Sequence, residues 1–144
     1  MSDVFTVERR SEIMKLIKSK NTKPELLVRR HLHFLGYRFR LHSKHLKGSP
    51  DIILKKYNTV IFVNGCFWHG HEEKNCKISR LPKSNTDYWV EKIMKTKNRD
   101  LTAKKSLKEL GWNIIEIWEC QLKPKHIETT FKHLNDLLQN HFKN

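Results

Sequence analysis

Two short apolar runs limit what this chain can become: Asp51-Ile-Ile-Leu54 and Thr59-Val-Ile-Phe-Val63, separated only by Lys-Lys-Tyr-Asn. Neither run alternates with polar residues, so both strands are expected to be covered on two faces, and their close spacing predicts a hairpin at the centre of a sheet. Such a sheet needs helices on both sides, and the flanking sequence offers them. Thr22-Lys-Pro-Glu25 has the spacing of a capping box with Pro24 in the first turn, and Gly36 stands at a C′ position, which predicts a helix from about Pro24 to Leu35. Tyr37, Phe39 and Leu41 then alternate with Arg38, Arg40 and His42, the period of a half-buried strand.

Beyond the hairpin, Thr86 is expected to cap a long helix reaching about Leu110, with Tyr88, Ile93, Leu101, Leu107 and Leu110 among its apolar positions and Gly111 at its stop. Trp112 to Trp118 reads as a strand with both tryptophans in the core, and Pro124 to about Phe142 as a last helix carrying Ile127, Phe131, Leu134, Leu137 and Leu138. A helical crossover between the hairpin and the last strand allows that strand to pair parallel to the sheet. Val7 to Lys20 carries Ile13, Leu16 and Ile17 at helical spacing among charged residues, the pattern of an arm lying on something else. The expected organisation is an arm over 1–20 and a single domain over 21–144, since 144 residues allow one sizeable core.

Lysine and arginine number 29 against 15 acids, a net charge of +14, which points to a polyanionic partner with nucleic acid foremost. No apolar stretch approaches the roughly 18 to 20 residues of a membrane span, and MSDVFTVERR lacks an apolar signal region, so a cytoplasmic location is expected. In that reducing compartment three cysteines suggest metal ligation or ordinary core use rather than disulfides.

Asp51 follows Gly48-Ser-Pro50 at the entrance of a buried strand, the next strand ends at Val60-Ile-Phe-Val-Asn64, and Glu25 sits on the preceding helix. An acid at a strand start facing a second strand end and a helix carboxylate is how nucleases hold a divalent ion that activates water and neutralises phosphate. The same residues would equally serve as a turn entry and a capping box. Residues 65–85 form a long aperiodic segment that needs a ligand or a metal to order it. Cys66, His71, Cys76 and Cys120 make a plausible tetrahedral zinc set that uses every cysteine, although a cysteine after an apolar strand is also commonly a core thiol.

In order along the chain, Gly48-Ser-Pro-Asp51, Val60-Ile-Phe-Val-Asn-Gly-Cys-Phe-Trp-His69, Asp87-Tyr-Trp-Val-Glu-Lys-Ile93, Asn98-Arg-Asp100 and Glu109-Leu-Gly-Trp112 through Ile117-Trp-Glu-Cys120 resemble the very-short-patch-repair (Vsr) endonucleases. The resemblance covers nearly the whole chain. It implies an α/β, restriction-endonuclease-like (PD-(D/E)xK-type) three-layer core, a mixed central sheet flanked by helices, with a structural zinc site. It implies an enzyme that nicks double-stranded DNA on the 5′ side of the thymine in a T:G mismatch, the lesion left when 5-methylcytosine deaminates. The partners implied are mismatched duplex DNA and, functionally, a cytosine-5 DNA methyltransferase, with no membrane and a monomeric protein.

By the same resemblance Asp51 would hold Mg²⁺ with its carboxylate and Val63 with its backbone carbonyl. His69 would act beside the attacked phosphate, with Glu25 and Asp100 orienting waters near the metal. Cys66, His71, Cys76 and Cys120 would hold the structural Zn²⁺, and Phe67, Trp68 and Trp89 would wedge into the base stack. One position departs from the family pattern: its best-known members carry histidine where this chain has Asn64. Asparagine can hydrogen-bond a phosphate or water but cannot take a proton near neutral pH, so any base at that position is lost. A zinc-stapled DNA-binding module with reduced or lost nuclease activity is therefore the alternative.

Overall fold

The computed structural model describes residues 21–71, 76 and 81–141. The arm expected over 1–20 lies outside the described residues. Helix α1 (Lys23–Phe34) leads into β1 (Arg40–Leu41), β2 (Ile52–Leu54) and β3 (Thr59–Asn64). Helix α2 (Thr86–Glu109) crosses to β4 (Asn113–Trp118), and α3 (Ile127–Asp136) closes the chain with a π-helical turn over Leu137–His141.

The four strands form one mixed sheet in the order β1-β2-β3-β4. β2 runs antiparallel to both β1 and β3, while β4 lies parallel to β3 from Thr59 opposite Asn113 to Asn64 opposite Trp118. The hairpin and the parallel return are as the apolar runs predict, and all six residues of β3 are buried. Ile52, Leu54, Ile61, Val63, Ile115 and Ile117 pack with Val28 and Leu32 of α1 and Leu134 and Leu138 near the C-terminus. On the opposite face Ile53, Val60 and Phe62 pack against Leu107 of α2. Strand alternation thus assigns each residue of β3 to one of two cores, which later decides where the site residues point.

Helix α1 begins at the predicted cap, with Thr22 Oγ1 accepting the Glu25 N–H at 3.4 Å, but Glu25 Oε1 accepts the Asn21 N–H at 3.3 Å, one residue before the cap whose N–H a capping box would use. It ends at Gly36, whose φ of +85° lets its N–H reach the His33 carbonyl while the Tyr37 N–H reaches Leu32. Because Tyr37 is spent on that cap, β1 has only two residues instead of the run from Tyr37 to Leu41.

The start of α2 differs from expectation. Asn85, in the left-handed region, occupies the N-cap position, and the Thr86 hydroxyl donates instead to the Pro82 and Lys83 carbonyls. The buried stripe of α2 is Trp89, Ile93, Ala103 and Leu107, whereas Leu101 and Leu110 are exposed because they fall outside it. Trp112 and Trp118 are half-buried rather than fully internal.

Candidate active site and metal centre

Asp51 stands at the bend entering β2, where its N–H donates to the Ile61 carbonyl at 3.1 Å and its Oδ2 accepts the Val63 N–H at 2.7 Å. The hairpin therefore fixes the carboxylate against the end of β3. Glu25, only 1 % exposed, turns Oε2 to His42 Nε2 at 2.8 Å and to Arg29 Nη1 at 3.2 Å. Ligand atoms of Glu25, His42 and Asp51 all lie within 4.8 Å of one another. Burial foremost, and the neighbouring Glu25 after the opposing Val63 bond, push the Asp51 carboxyl up to about 6, with His42 pulling it back. Two acids and an imidazole at this separation could hold a metal ion, whose charge would offset both carboxylates.

His42 is the member that sequence reasoning missed. Alternation with Phe39 and Leu41 reads it as a solvent-facing strand residue, yet its φ of +49° breaks the strand and its N–H bonds the Asp51 carbonyl at 3.2 Å. A left-handed histidine inside a strand-like pattern leaves no periodic signal.

Across the sheet, His69 Nδ1 meets Asp100 Oδ2 at 2.7 Å. A carboxylate only accepts, so Nδ1 carries the proton and Nε2 is left for a substrate. The turn bearing His69 presses on α2: a Cβ on Gly70, whose φ is +62°, would stand 2.5 Å from Ile93 Cγ2. His69, Asp100, Lys97, Lys104 and Trp118 line a cleft of about 550 Å³. Asn64, 3 % exposed, donates from Nδ2 to Glu116 Oε2 at 3.4 Å, and Glu116 Oε1 pairs with Lys104 Nζ at 2.6 Å. The expected site residues thus form two groups. Asp51 and Glu25 share one network beside Val63, while His69 with Asp100 and Asn64 with Glu116 make separate pairs on the α2 side.

Cys66, His71, Cys76 and Cys120 converge with their ligand atoms within 4.8 Å of one another. A tetrahedron with 2.3 Å metal–sulfur bonds separates its ligand atoms by about 3.8 Å, so the donor set fits a closed four-coordinate ion. His71 Nδ1 lies 3.5 Å from Cys120 Sγ, and the His71 ring stacks on Trp118 with centroids 4.1 Å apart. Gln121 Oε1 accepts the Trp118 N–H at 2.9 Å, fixing the turn that delivers Cys120. Without a cation the buried Cys66 thiol is pushed well above its ordinary range, and burial also raises Cys120. A bound cation would reverse that balance, because a ligating thiol is deprotonated.

The aromatic residues divide by exposure. Phe67 and Trp68 are half-buried and meet edge to face at 5.5 Å, with Lys92 Nζ 5.9 Å from the Trp68 ring centre. Trp89, expected beside them as a wedge, is instead 1 % exposed and braces Phe67 from within at 5.5 Å. Its position on the buried stripe of α2 explains this placement. Among the described residues its indole Nε1 has no hydrogen-bond partner.

No helix among the described residues is long and apolar enough to cross a membrane. The DNA mismatch endonuclease Vsr family matches residues 2–75. The Type II nicking enzyme V.NmeAIP of Neisseria meningitidis serogroup A is 50% identical over 127 residues, covering 88% of this chain and 89% of that protein. V.XorIIP of Xanthomonas oryzae pv. oryzae, also a Type II nicking enzyme, is 48% identical over 122 residues, 85% of this chain and 88% of its own. The DNA mismatch endonuclease Vsr of Escherichia coli is 37% identical over 123 residues, 85% of this chain and 77% of that protein. On this similarity, the chain belongs to the Vsr family of DNA mismatch endonucleases.

Proposed function

We propose that this DNA endonuclease nicks duplex DNA 5′ of the thymine in a T:G mismatch left by deamination of 5-methylcytosine, with Mg²⁺ in the Asp51 site and Zn²⁺ in the cysteine site. The observation that carries the reading is the seating of Asp51: one carboxylate oxygen is held by the Val63 N–H, and the carboxylate brings a ligand atom within 4.8 Å of those of Glu25 and His42. A strand residue's N–H and C=O point to the same side, so the Val63 carbonyl faces the Asp51 edge one step past the last rung of the hairpin, where Ile52 opposes Ile61. That placement supports Asp51 and the Val63 carbonyl as ligands of Mg²⁺. When bound, the ion would neutralise phosphate charge and lower the barrier to attack by water.

The protein's own groups supply the rest. Glu25, pinned by His42 and Arg29, is a fixed acceptor for a water. Asp100 keeps the proton of His69 on Nδ1, so Nε2 can take a proton from the attacking water or, once charged, steady the phosphate and return that proton. The water oxygen bonds to phosphorus as one ester P–O bond breaks, and the proton passes to the departing oxygen.

The helix–sheet–helix layers and the acid at the strand entrance support a restriction-endonuclease-like PD-(D/E)xK assignment. Phe67 and Trp68 are the rings offered to the base stack, where a wobble pair unstacks more readily than a matched one. In this proposal residues 1–20 form a DNA-contacting arm on the domain 21–144. The protein works as a cytoplasmic monomer, functionally paired with a cytosine-5 methyltransferase. Asn64 favours one second reading, a DNA-binding module with weakened catalysis. Mapping the strand break on a duplex with one T:G pair decides between them: a Mg²⁺-dependent cut at the phosphate 5′ of the thymine supports the first, and binding without a cut supports the second.

A further inference from the structure

β4 carries one charged residue, Glu116, in the run Asn113-Ile-Ile-Glu-Ile-Trp118, directly opposite Phe62 in the parallel register. An acid inside an apolar strand breaks the local pattern, and such breaks concentrate where function requires them. Its partners are informative. Oε1 meets Lys104 Nζ at 2.6 Å, and Oε2 accepts from Asn64 Nδ2 at 3.4 Å. Lys104 lines the same cleft as His69 and Asp100. Lys104, Glu116 and Asn64 therefore form a chain running from the His69 cleft to the end of β3, one residue past Val63.

The chemistry of that chain fixes a direction that an asparagine alone does not have. An ionised carboxylate has no proton to donate, so only the NH₂ end of the Asn64 amide can face it. Oδ1, an acceptor, is consequently turned away from Glu116. Lys104 compensates the charge of Glu116 and anchors Oε1, the oxygen that Asn64 does not use.

We propose that Glu116 and Lys104 are positioning residues for the nicking reaction, holding Asn64 with Oδ1 as a fixed acceptor for the attacking water. Asn64 then orients that water without taking its proton, and the proton goes to His69. This inference rests on the proposed nicking activity and adds two residues to it. It predicts an effect on kcat that acts only through Asn64.

The test replaces both charges together, Lys104→Met with Glu116→Leu, so that neither is left buried and unpaired. With Mg²⁺ and a T:G duplex, kcat should fall about tenfold or more while KM stays within about threefold, the pattern of lost orientation rather than lost binding. In an Asn64→Ala background the same two substitutions should lower kcat no further. Lys104→Arg alone should keep most of the wild-type kcat. An equal loss in both backgrounds, or no loss in either, overturns the proposal.

A second measurement is independent of catalysis. In ¹H–¹⁵N spectra of the DNA-free protein, the Asn64 side-chain NH₂ should give a shifted, slowly exchanging proton that moves to the free-amide position in the double variant. Identical Asn64 signals in both proteins contradict the geometry. A wild-type chain that shifts the amide but never nicks refutes the functional proposal while leaving this orientation standing.

Discussion

At the scale of single residues, Asp51 is the position whose environment is most demanding. Its carboxyl is pushed from an ordinary value of 3.8 up to about 6, chiefly by burial. Between those values the folded chain keeps a proton that the unfolded chain has already released, so metal-free stability falls as pH rises through this window. Asp51→Asn removes that penalty. In chelator-treated protein, the melting temperature of Asp51→Asn should therefore gain on the wild type between pH 4 and pH 6, and a constant difference across that range would contradict the assigned environment. The same substitution should abolish nicking while leaving DNA affinity unchanged or tighter, because one negative charge facing phosphate is gone.

Residue-scale legibility was uneven for a physical reason. Asp51 and Glu25 announce themselves by place, after Pro50 at a buried strand and inside a capping box. His42 and Glu116 do not, since each depends on one backbone angle or one strand register. His42→Leu would strip Glu25 of its 2.8 Å partner and leave Arg29 and the Asn21 N–H to hold a buried carboxylate. We expect a loss of about 1 to 3 kcal/mol in urea unfolding. A variant as stable as the wild type would place His42 outside that network.

Among the elements, the segment after β3 depends most on something other than packing. Cys66 lies two residues past the end of β3, His71 stacks on Trp118, and Cys120 arrives on the turn after β4. A cation there would tie the C-terminal ends of β3 and β4 to each other, so its removal should act on stability directly. Chelation or Cys120→Ser should cost several kcal/mol, roughly a large part of a marginal domain's stability, read as a fall in melting temperature. An unchanged melting temperature would make Cys120 an ordinary half-buried thiol.

The elements themselves were largely written in the apolar periodicity. Unbroken runs gave β2 and β3, a helical stripe gave α2, and the crossover gave the parallel β4. What periodicity does not report is which face of a long lysine-rich helix turns inward. For Trp89 the only expectation is the base-stack wedge that the resemblance implies, whereas it packs on the buried stripe with Ile93 and Leu107. Trp89→Ala should accordingly cost about 3 to 5 kcal/mol of stability, as large aromatic truncations in cores do. Trp68→Ala should spare stability and lose T:G discrimination, and paired urea melts and nicking assays separate the two.

For the whole molecule, 29 basic residues stand against 15 acids, a balance of +14, and Glu25, Asp51, Asp100 and Glu116 are the acids engaged at the site. Charge of this size supplies affinity without selecting a sequence, and its signature is a steep fall of binding with salt. In the proposed function, selection comes from the constellation at the end of β3, where the Asp51 network, the His69–Asp100 pair and the Phe67–Trp68 rings lie. The most direct measurement of that claim is the single-turnover nicking rate, with Mg²⁺ at one fixed salt concentration, on two duplexes differing only in T:G against T:A. The account predicts rapid nicking of the T:G duplex alone, lost on adding chelator and lost in Asp51→Asn. Equal rates on the two duplexes, or a T:G rate that survives Asp51→Asn, would contradict it.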